Sequence, residues 1–206
     1  METLKSLITI LIPILIIMDP LGNLPLFLLF TKQNSPKEQN RMAAIASGSA
    51  SIILIFFCLT GDFILRFFGI GLPSFQIAGG LIFLLYSLQM LRLFPTGIKS
   101  TTAEEQEGVT KDNVALVPLA TPLLAGPGAI TAVLVWQQRS SDPTSKIILI
   151  GAIIIACLTV YFIFYFAKWI QKILGVGGIR VVTRIMGLFL AVIAVQFMVS
   201  GFQQLR

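Results

Sequence analysis

A single carboxylate interrupts the first apolar stretch of the chain. Asp19 follows about fourteen helix-forming, mostly apolar residues and precedes Pro20, Gly22, Asn23 and Pro25. At about 1.5 Å per residue, a helix of that length places Asp19 near the middle of a membrane. An ionised carboxylate there costs roughly 2.5–3.5 kcal/mol on insertion scales, so such residues usually face a cavity or a partner. Asp19 is therefore the first candidate for binding an ammonium group or carrying a proton.

The same arrangement of prolines recurs about half a chain later. Pro122 and Pro127 have the same spacing as Pro20 and Pro25, and the two pairs lie 102 positions apart. Proline removes a backbone donor and clashes with a continuing helix, so each segment breaks its apolar stretch. In lipid, protein or a water-lined cavity must satisfy the freed backbone groups. Such interruptions at corresponding positions of two halves indicate a transporter's binding site.

Together the two breaks suit a zwitterionic ligand. Pro25 and Pro127 can each begin a second half-helix, whose unpaired amides and dipole attract a carboxylate. Asp19 or freed carbonyl groups would attract the ammonium group. The candidate substrate-binding residues are Asp19, Pro20, Gly22, Asn23, Pro25, Thr121, Pro122, Gly126, Pro127 and Gly128.

These residues also have structural explanations. Asp19 and Thr121 are good N-cap residues, and each precedes a proline, which is favoured at the first helical position. The prolines and glycines could form packing kinks, and Asn23 could satisfy a freed carbonyl group instead of binding a ligand. Gln89 and Gln196, 107 positions apart, are predicted to form polar contacts between helices.

The composition places nearly the whole chain in a membrane. Of its 206 residues, 56% are hydrophobic and 12% are charged, against about 25% charged in an ordinary soluble domain. Six apolar stretches approach or exceed the roughly eighteen residues that signal a membrane span. They are roughly Leu4–Phe30, Ala43–Phe68, Ser74–Leu91, Val114–Gln138, Ile147–Ile170 and Val181–Gly201, of which the first and fourth are broken.

The two halves of the chain match beyond the prolines. Gly69 and Gly80 of the first half correspond to Gly175 and Gly187 of the second. We therefore predict an all-α integral membrane protein with six transmembrane helices, in two three-helix repeats whose first helices are broken. Because three is odd, the second repeat must enter the membrane in the opposite orientation, as an inverted-topology repeat. The predicted units are residues 1–94, a polar connecting loop at 95–112, and residues 113–206.

Loop charges predict the orientation. Ten of the fifteen Lys and Arg residues fall in the first, third and fifth loops. These loops should face the cytoplasm, which places both termini on the non-cytoplasmic side. The net charge of +6 is explained by this topology, and no clustered basic face for a nucleic acid is present.

Several residue types on which enzymes rely are missing. The chain has no His, and Cys58 and Cys157 both lie inside apolar stretches. A His-based triad, proton relay or metal site is therefore impossible, and a disulfide framework is not expected. No Walker-type loop is present. We expect no enzymatic activity, no metal and no cofactor.

The segments Asp19–Pro25, Thr121–Gly128 and Arg184–Leu188 resemble the MarC family, also called the SnatA or neutral amino acid transporter family. The resemblance covers essentially the whole chain. It implies a multi-pass protein of the bacterial or archaeal inner (plasma) membrane, and some members move small neutral amino acids such as glycine and alanine. The expected function is a secondary transporter or exporter of such amino acids, working by alternating access around two broken helices. The alternative is a channel-like pore for small solutes or ions. The expected partners are this substrate and the lipid bilayer, and a homo-oligomer is left open.

Overall fold

A computed structural model describes residues 2–93, 124–139 and 142–205. The regular secondary structure of these residues is helical. The helices are α1 (Glu2–Met18), α2 (Leu24–Phe30), α3 (Pro36–Phe67), α4 (Leu72–Met90), α5 (Pro127–Arg139), α6 (Pro143–Tyr165) and α7 (Ala167–Leu205). Thr121, Pro122 and the predicted loop at 95–112 lie outside the described residues, so the predictions about them stay predictions.

Four of these helices are long and apolar enough to cross a membrane. They are α3, through its segment Pro36–Gly61, and α4, α6 and α7, while a shorter apolar helix covers Thr3–Met18. The outer surface carries large apolar side chains, and Ile52, Phe63 and Phe67 are each more than 70% exposed. Extensive exposed apolar surface marks contact with a membrane or another protein. An all-α integral membrane protein is therefore confirmed, whereas the count of six spans stays a prediction.

Both broken segments restart as helices at a proline. α1 ends at Met18, and Pro25 lies in the first turn of α2. α5 begins at Pro127. In the first turn of a helix the backbone amides have no helical acceptor. Proline, which lacks an amide hydrogen, therefore costs no hydrogen bond there and is favoured. The prediction that Pro25 and Pro127 begin half-helices is confirmed.

The helices that follow the breaks begin with matching caps. Ser35 precedes Pro36 at the start of α3, and its hydroxyl accepts a hydrogen bond from the Glu38 amide while the Glu38 carboxylate accepts one from the Ser35 amide. Asp142 precedes Pro143 at the start of α6 and accepts from the Ser145 amide at 3.0 Å. The two caps lie 107 positions apart. Each cap satisfies amide groups that the first helical turn leaves unpaired.

The matched glycines also both have a positive φ. Gly69, between α3 and α4, has a φ of 66°, and Gly175, within α7, has a φ of 59°. Side chains disfavour this left-handed region, whereas glycine enters it freely. Gly175 divides the Ala167–Leu205 element into two helices joined at a kink. Helices α4 and the longer part of α7 therefore each follow a glycine that redirects the chain.

Helices α4 and α7 form the most extensive helix pair among the described residues, and they run antiparallel. A Cβ atom at Gly80 would lie 2.7 Å from the backbone oxygen of Ala194, and one at Gly187 would lie 3.2 Å from that of Ser87. The two contacts are reciprocal, because adding 107 to Gly80 and Ser87 gives Gly187 and Ala194. Small residues of this kind let helix backbones approach closely in a membrane.

We expect Gly80→Ala to lower the free energy of unfolding by about 1–3 kcal/mol, the usual cost of overpacking a fitted interface. The opposing atoms include the backbone oxygen of Ala194, which cannot rotate aside. Gly151→Ala in α6 is the matched control, because nothing lies within 4 Å of its added Cβ atom. Unfolding in a detergent titration measures both variants. Equal stability of the two variants would contradict the close approach of α4 and α7.

Helix α5 forms the centre of the described structure. It packs against α1, α3, α4 and α6. Most of its apolar side chains are less than 5% exposed: Ala129, Ala132, Val133, Leu134 and Val135. The helix that follows the second break is therefore an interior element, against which the first break is positioned.

Candidate functional site

The turn after α1 is held by Asp19 and Asn23. Asp19 Oδ1 accepts a hydrogen bond from the Gly22 amide at 3.0 Å. Asn23 Nδ2 donates to the backbone oxygen of Met18 at 3.0 Å. Asn23 therefore satisfies a carbonyl group that the break frees, which is one of the two roles considered for it. Asp19 caps this turn and not α2, whose N-cap residue is Asn23.

The backbone of Asp19 lies in an uncommon conformation. Its φ is 39°, on the left-handed side, which aspartate and asparagine tolerate better than most residues. Such positions cost of order 1–3 kcal/mol and cluster at functional sites. The side chain at position 22 must also be absent, because a Cβ atom on Gly22 would collide with the Asp19 carboxylate. Gly22 therefore positions the carboxylate, through its amide group and through the absence of a side chain.

A cavity of about 490 Å³ lies between α1, α6 and α7. Its wall is formed by Ile12, Leu15, Ile16, Asp19, Pro20, Leu21, Thr159, Ile163, Met186 and Phe189. Among the described residues of this wall, Asp19 is the one that is charged. The hydroxyl of Thr159 donates to the backbone oxygen of Ile155 at 2.8 Å. The cavity wall is therefore almost entirely apolar, although it includes Asp19.

The structure brings the two breaks close together. A Cβ atom at Gly128, in the first turn of α5, would lie 3.1 Å from Ile17 Cγ2, and Ile17 is two residues before Asp19. Gly126 is buried just ahead of α5. Of the predicted site residues, Asp19 and Pro20 line the cavity, and Gly22 and Asn23 complete the turn.

The remaining predicted site residues lie outside the cavity wall. Pro25 and Pro127 are both exposed, each in the first turn of its half-helix. Gly126 and Gly128 pack at the start of α5. The start of α5 packs against Ile17, which is not part of the cavity wall, so the start of α5 and the Asp19 cavity are separate surfaces.

The surroundings of Gln89 and Gln196 differ from the predicted polar contacts between helices. Gln196 is exposed, and its side chain donates to Ser200 of the same helix at 3.4 Å. Gln89 is partly buried at the end of α4. The glutamine contact between helices joins Gln204 Nε2 to Gln76 Oε1 at 3.4 Å. The spacing of residues along α4 could have placed Gln76 on the buried face of this helix. Gln76 shares helical periodicity with the other buried residues Gly79, Gly80, Phe83 and Ser87.

None of the four cavity residues on α6 and α7 was predicted as a site residue: Thr159, Ile163, Met186 and Phe189. No signal marks them, since they belong to helices that are apolar on every side. In the part of the chain that the structure describes, no group of three His, Cys, Asp or Glu residues could hold a metal ion. Among the described residues of this wall, the carboxyl group of Asp19 is therefore the one ionisable group.

Comparison with known proteins places the chain in a family. A profile described as MarC family integral membrane protein matches residues 4–205. A UPF0056 membrane protein of Methanocaldococcus jannaschii is 42% identical over 90% of both chains. One of Aquifex aeolicus is 37% identical over 93% of this chain and 90% of its own length. YhcE of Escherichia coli is 34% identical over 90% of this chain and 86% of its own length.

The names of these relatives describe membrane proteins and state no substrate. No solved structure matches the chain. The profile includes the turn at Asp19 and the start of α5, and each of these relatives covers 90% or more of this chain. The chain therefore belongs to the MarC family of integral membrane proteins.

Proposed function

We propose that the protein is a secondary transporter of small neutral amino acids, the class that the family resemblance implies. The observation that carries the proposal is the Asp19 carboxylate, which lies in a helix break on the wall of a 490 Å³ cavity. Among the described residues, no Lys or Arg forms an ion pair with it. A carboxylate inside a membrane is stabilised by a cationic partner. The ammonium group of an amino acid supplies such a partner.

We assign the carboxylate of the substrate to the other break. Helix α5 begins at Pro127, and its first turn lies against Ile17. The unpaired amides and the dipole at a helix start favour an anion. An amino acid with its ammonium group at Asp19 would therefore direct its carboxylate towards the start of α5. This arrangement uses both breaks and needs no additional charged side chain.

The transport cycle that we propose is alternating access between two inverted three-helix repeats. The reciprocal contacts of Gly80 and Gly187, the matched caps at Ser35 and Asp142, and the left-handed glycines 69 and 175 support it. The antiparallel pairing of α4 and α7 is the arrangement expected when one repeat is inverted relative to the other. We further propose six spans in the inner membrane, with both termini non-cytoplasmic because the odd loops carry more Lys and Arg.

Counterflow in proteoliposomes tests this function. Vesicles holding unlabelled alanine should accumulate external radiolabelled alanine transiently, because a carrier exchanges one molecule for another. A channel-like pore would only equilibrate the label, so the same measurement separates the two functions. Empty liposomes and a panel of anionic and cationic amino acids serve as controls. Absence of counterflow for every neutral amino acid would refute the proposal.

A further inference from the structure

We propose that Thr131 and Gln137 of α5, together with Gln76 of α4, line the route by which the substrate passes between the second helix break and the membrane surface. We refer to these three side chains as the junction residues. The inference rests on the proposed function and adds to it the path through the protein. It is carried by the burial of three polar side chains inside a membrane-spanning structure.

The other buried polar side chains of the described residues have a local explanation. Thr31, Ser47 and Ser87 each donate to a backbone oxygen three or four residues earlier. Gln39 donates to the backbone oxygen of Thr31 at 2.8 Å. The remaining buried polar residues are the junction residues Gln76, Thr131 and Gln137, which are 0%, 5% and 2% exposed. Polar side chains inside a membrane are costly and often mark the path of a substrate or an ion.

Gln76 of α4 has an unused hydrogen-bond donor. Its Oε1 accepts a hydrogen bond from Gln204 Nε2 at 3.4 Å, whereas its Nε2 is buried and has no partner among the described residues. Gly79, one turn further along α4, faces Thr131 of α5. A buried donor without a partner costs free energy, so each one in a native structure needs an explanation. The carboxylate of a passing amino acid supplies the missing acceptor.

The two junction residues of α5 face glycines and not polar side chains. A Cβ atom on Gly79 of α4 would collide with Thr131 Cγ2, and one on Gly61 of α3 would lie 3.1 Å from Gln137 Oε1. Polar residues that join membrane helices form hydrogen bonds across their contact. Glycine has no side chain for such a bond, and Gln137 Oε1 accepts from Gln138 of its own helix at 3.5 Å. Contacts between the described helices therefore do not explain why these two polar residues are buried.

Helix α5 connects the second break with one end of the helix bundle. It begins at Pro127, and its 13 residues rise about 20 Å, more than half of a hydrocarbon core of about 30 Å. Thr131 lies in its second turn and Gln137 in its last turn. An amino acid that leaves the start of α5 along this side therefore meets Thr131 first and Gln137 second. In this conformation the packing of Thr131 against Gly79 closes the route.

Cysteine accessibility tests the route in a protein whose two natural cysteines are replaced by serine. Thr131→Cys and Ala132→Cys form a matched pair, because these side chains are 5% and 0% exposed and point about 100° apart around α5. The probe is a membrane-impermeant methanethiosulfonate reagent, applied to proteoliposomes during alanine exchange. We expect Thr131→Cys to react at least about tenfold faster than Ala132→Cys, since an open state populated at only about 1% exposes the route.

Gln137→Cys repeats this measurement at the other end of α5 and replaces Thr131→Cys if that variant does not fold. Equal reaction rates at all three positions, with normal alanine exchange by the cysteine-free protein, would overturn the route and leave the proposed function standing. No exchange of any neutral amino acid by the wild type would remove the proposed function, and the route with it.

Thr131→Val separates contact with the substrate from packing. Valine keeps a methyl group to pack against Gly79 and lacks the hydroxyl group. We therefore expect alanine exchange to slow by about 2–10-fold, the usual net effect of one hydrogen bond, while unfolding in detergent stays that of the wild type. Thr131→Ser keeps the hydroxyl group and should exchange faster than Thr131→Val. Wild-type exchange by Thr131→Val would overturn the assignment of Thr131 to the route.

Discussion

Asp19→Asn is expected to raise the half-saturation concentration for amino acid exchange by about 30-fold or more. Removing one member of a buried charge pair costs about 2–5 kcal/mol, and each 1.4 kcal/mol is about tenfold in affinity. Asparagine tolerates the left-handed backbone at this position, where φ is 39°, and its amide oxygen can accept the Gly22 hydrogen bond. The turn should therefore survive while the charge is lost. Counterflow titration with labelled alanine measures the effect.

Asp142→Asn is the matched control for this substitution. Asp142 is exposed at the start of α6, and hydrogen bonds from Ser145 hold the pKa of its carboxyl below the usual range. Asparagine is as good an N-cap residue as aspartate, so α6 should keep its cap. Exchange by this variant should equal that of the wild type. If Asp19→Asn also left exchange and its pH dependence unchanged, Asp19 would be neither the ammonium ligand nor the coupling residue.

Gly22→Ala is expected to reduce exchange at low substrate concentration by about 10–100-fold. The added Cβ atom would collide with the Asp19 carboxylate, which must then leave the Gly22 amide and move within the cavity wall. A displacement of about 1 Å can cost about 100-fold in a positioned site. The unpaired amide should lower the free energy of unfolding by only about 1–3 kcal/mol. Counterflow and detergent unfolding, measured on the same preparation, separate the two effects.

Gly48→Ala provides the comparison for this loss. Gly48 lies inside α3 with nothing within 4 Å of an added Cβ atom. Alanine is the better helix former by about 1 kcal/mol, so this variant should be at least as stable as the wild type and should exchange normally. Wild-type exchange in Gly22→Ala would show that the position of the Asp19 carboxylate does not matter.

Features that act through the backbone were predictable from the sequence. Pro25 and Pro127 begin helices, and Gly69 and Gly175 adopt left-handed conformations, because proline and glycine restrict or free the chain at their own positions. Asp19 could also be identified as a candidate site residue from the sequence, because charged residues inside apolar membrane stretches are rare and usually functional. The helix breaks and the carboxylate of the candidate site could therefore be identified before the structure.

The cavity wall could not be predicted in the same way. Ile163, Met186 and Phe189 belong to helices that are apolar on both their lipid-facing and their interior sides, so hydrophobic periodicity has little contrast there. The contact of Gln204 with Gln76 depends on the packing of α4 against α7, which brings together residues far apart in the chain. Tertiary packing, and not local preference, decides these parts of the site.

The length of α3 determines how the protein meets bilayers of different thickness. Its 32 residues extend about 48 Å, whereas a hydrocarbon core is about 30 Å thick. The helix starts with a polar turn that contains Lys37 and Glu38, and beyond Gly61 it carries Asp62 and Arg66 before it ends at Phe67. A thicker membrane can therefore be spanned by reducing the tilt of the segment Pro36–Gly61, without exposing unpaired backbone groups to lipid. We expect the reconstituted protein to stay folded across a series of lipids of increasing acyl-chain length.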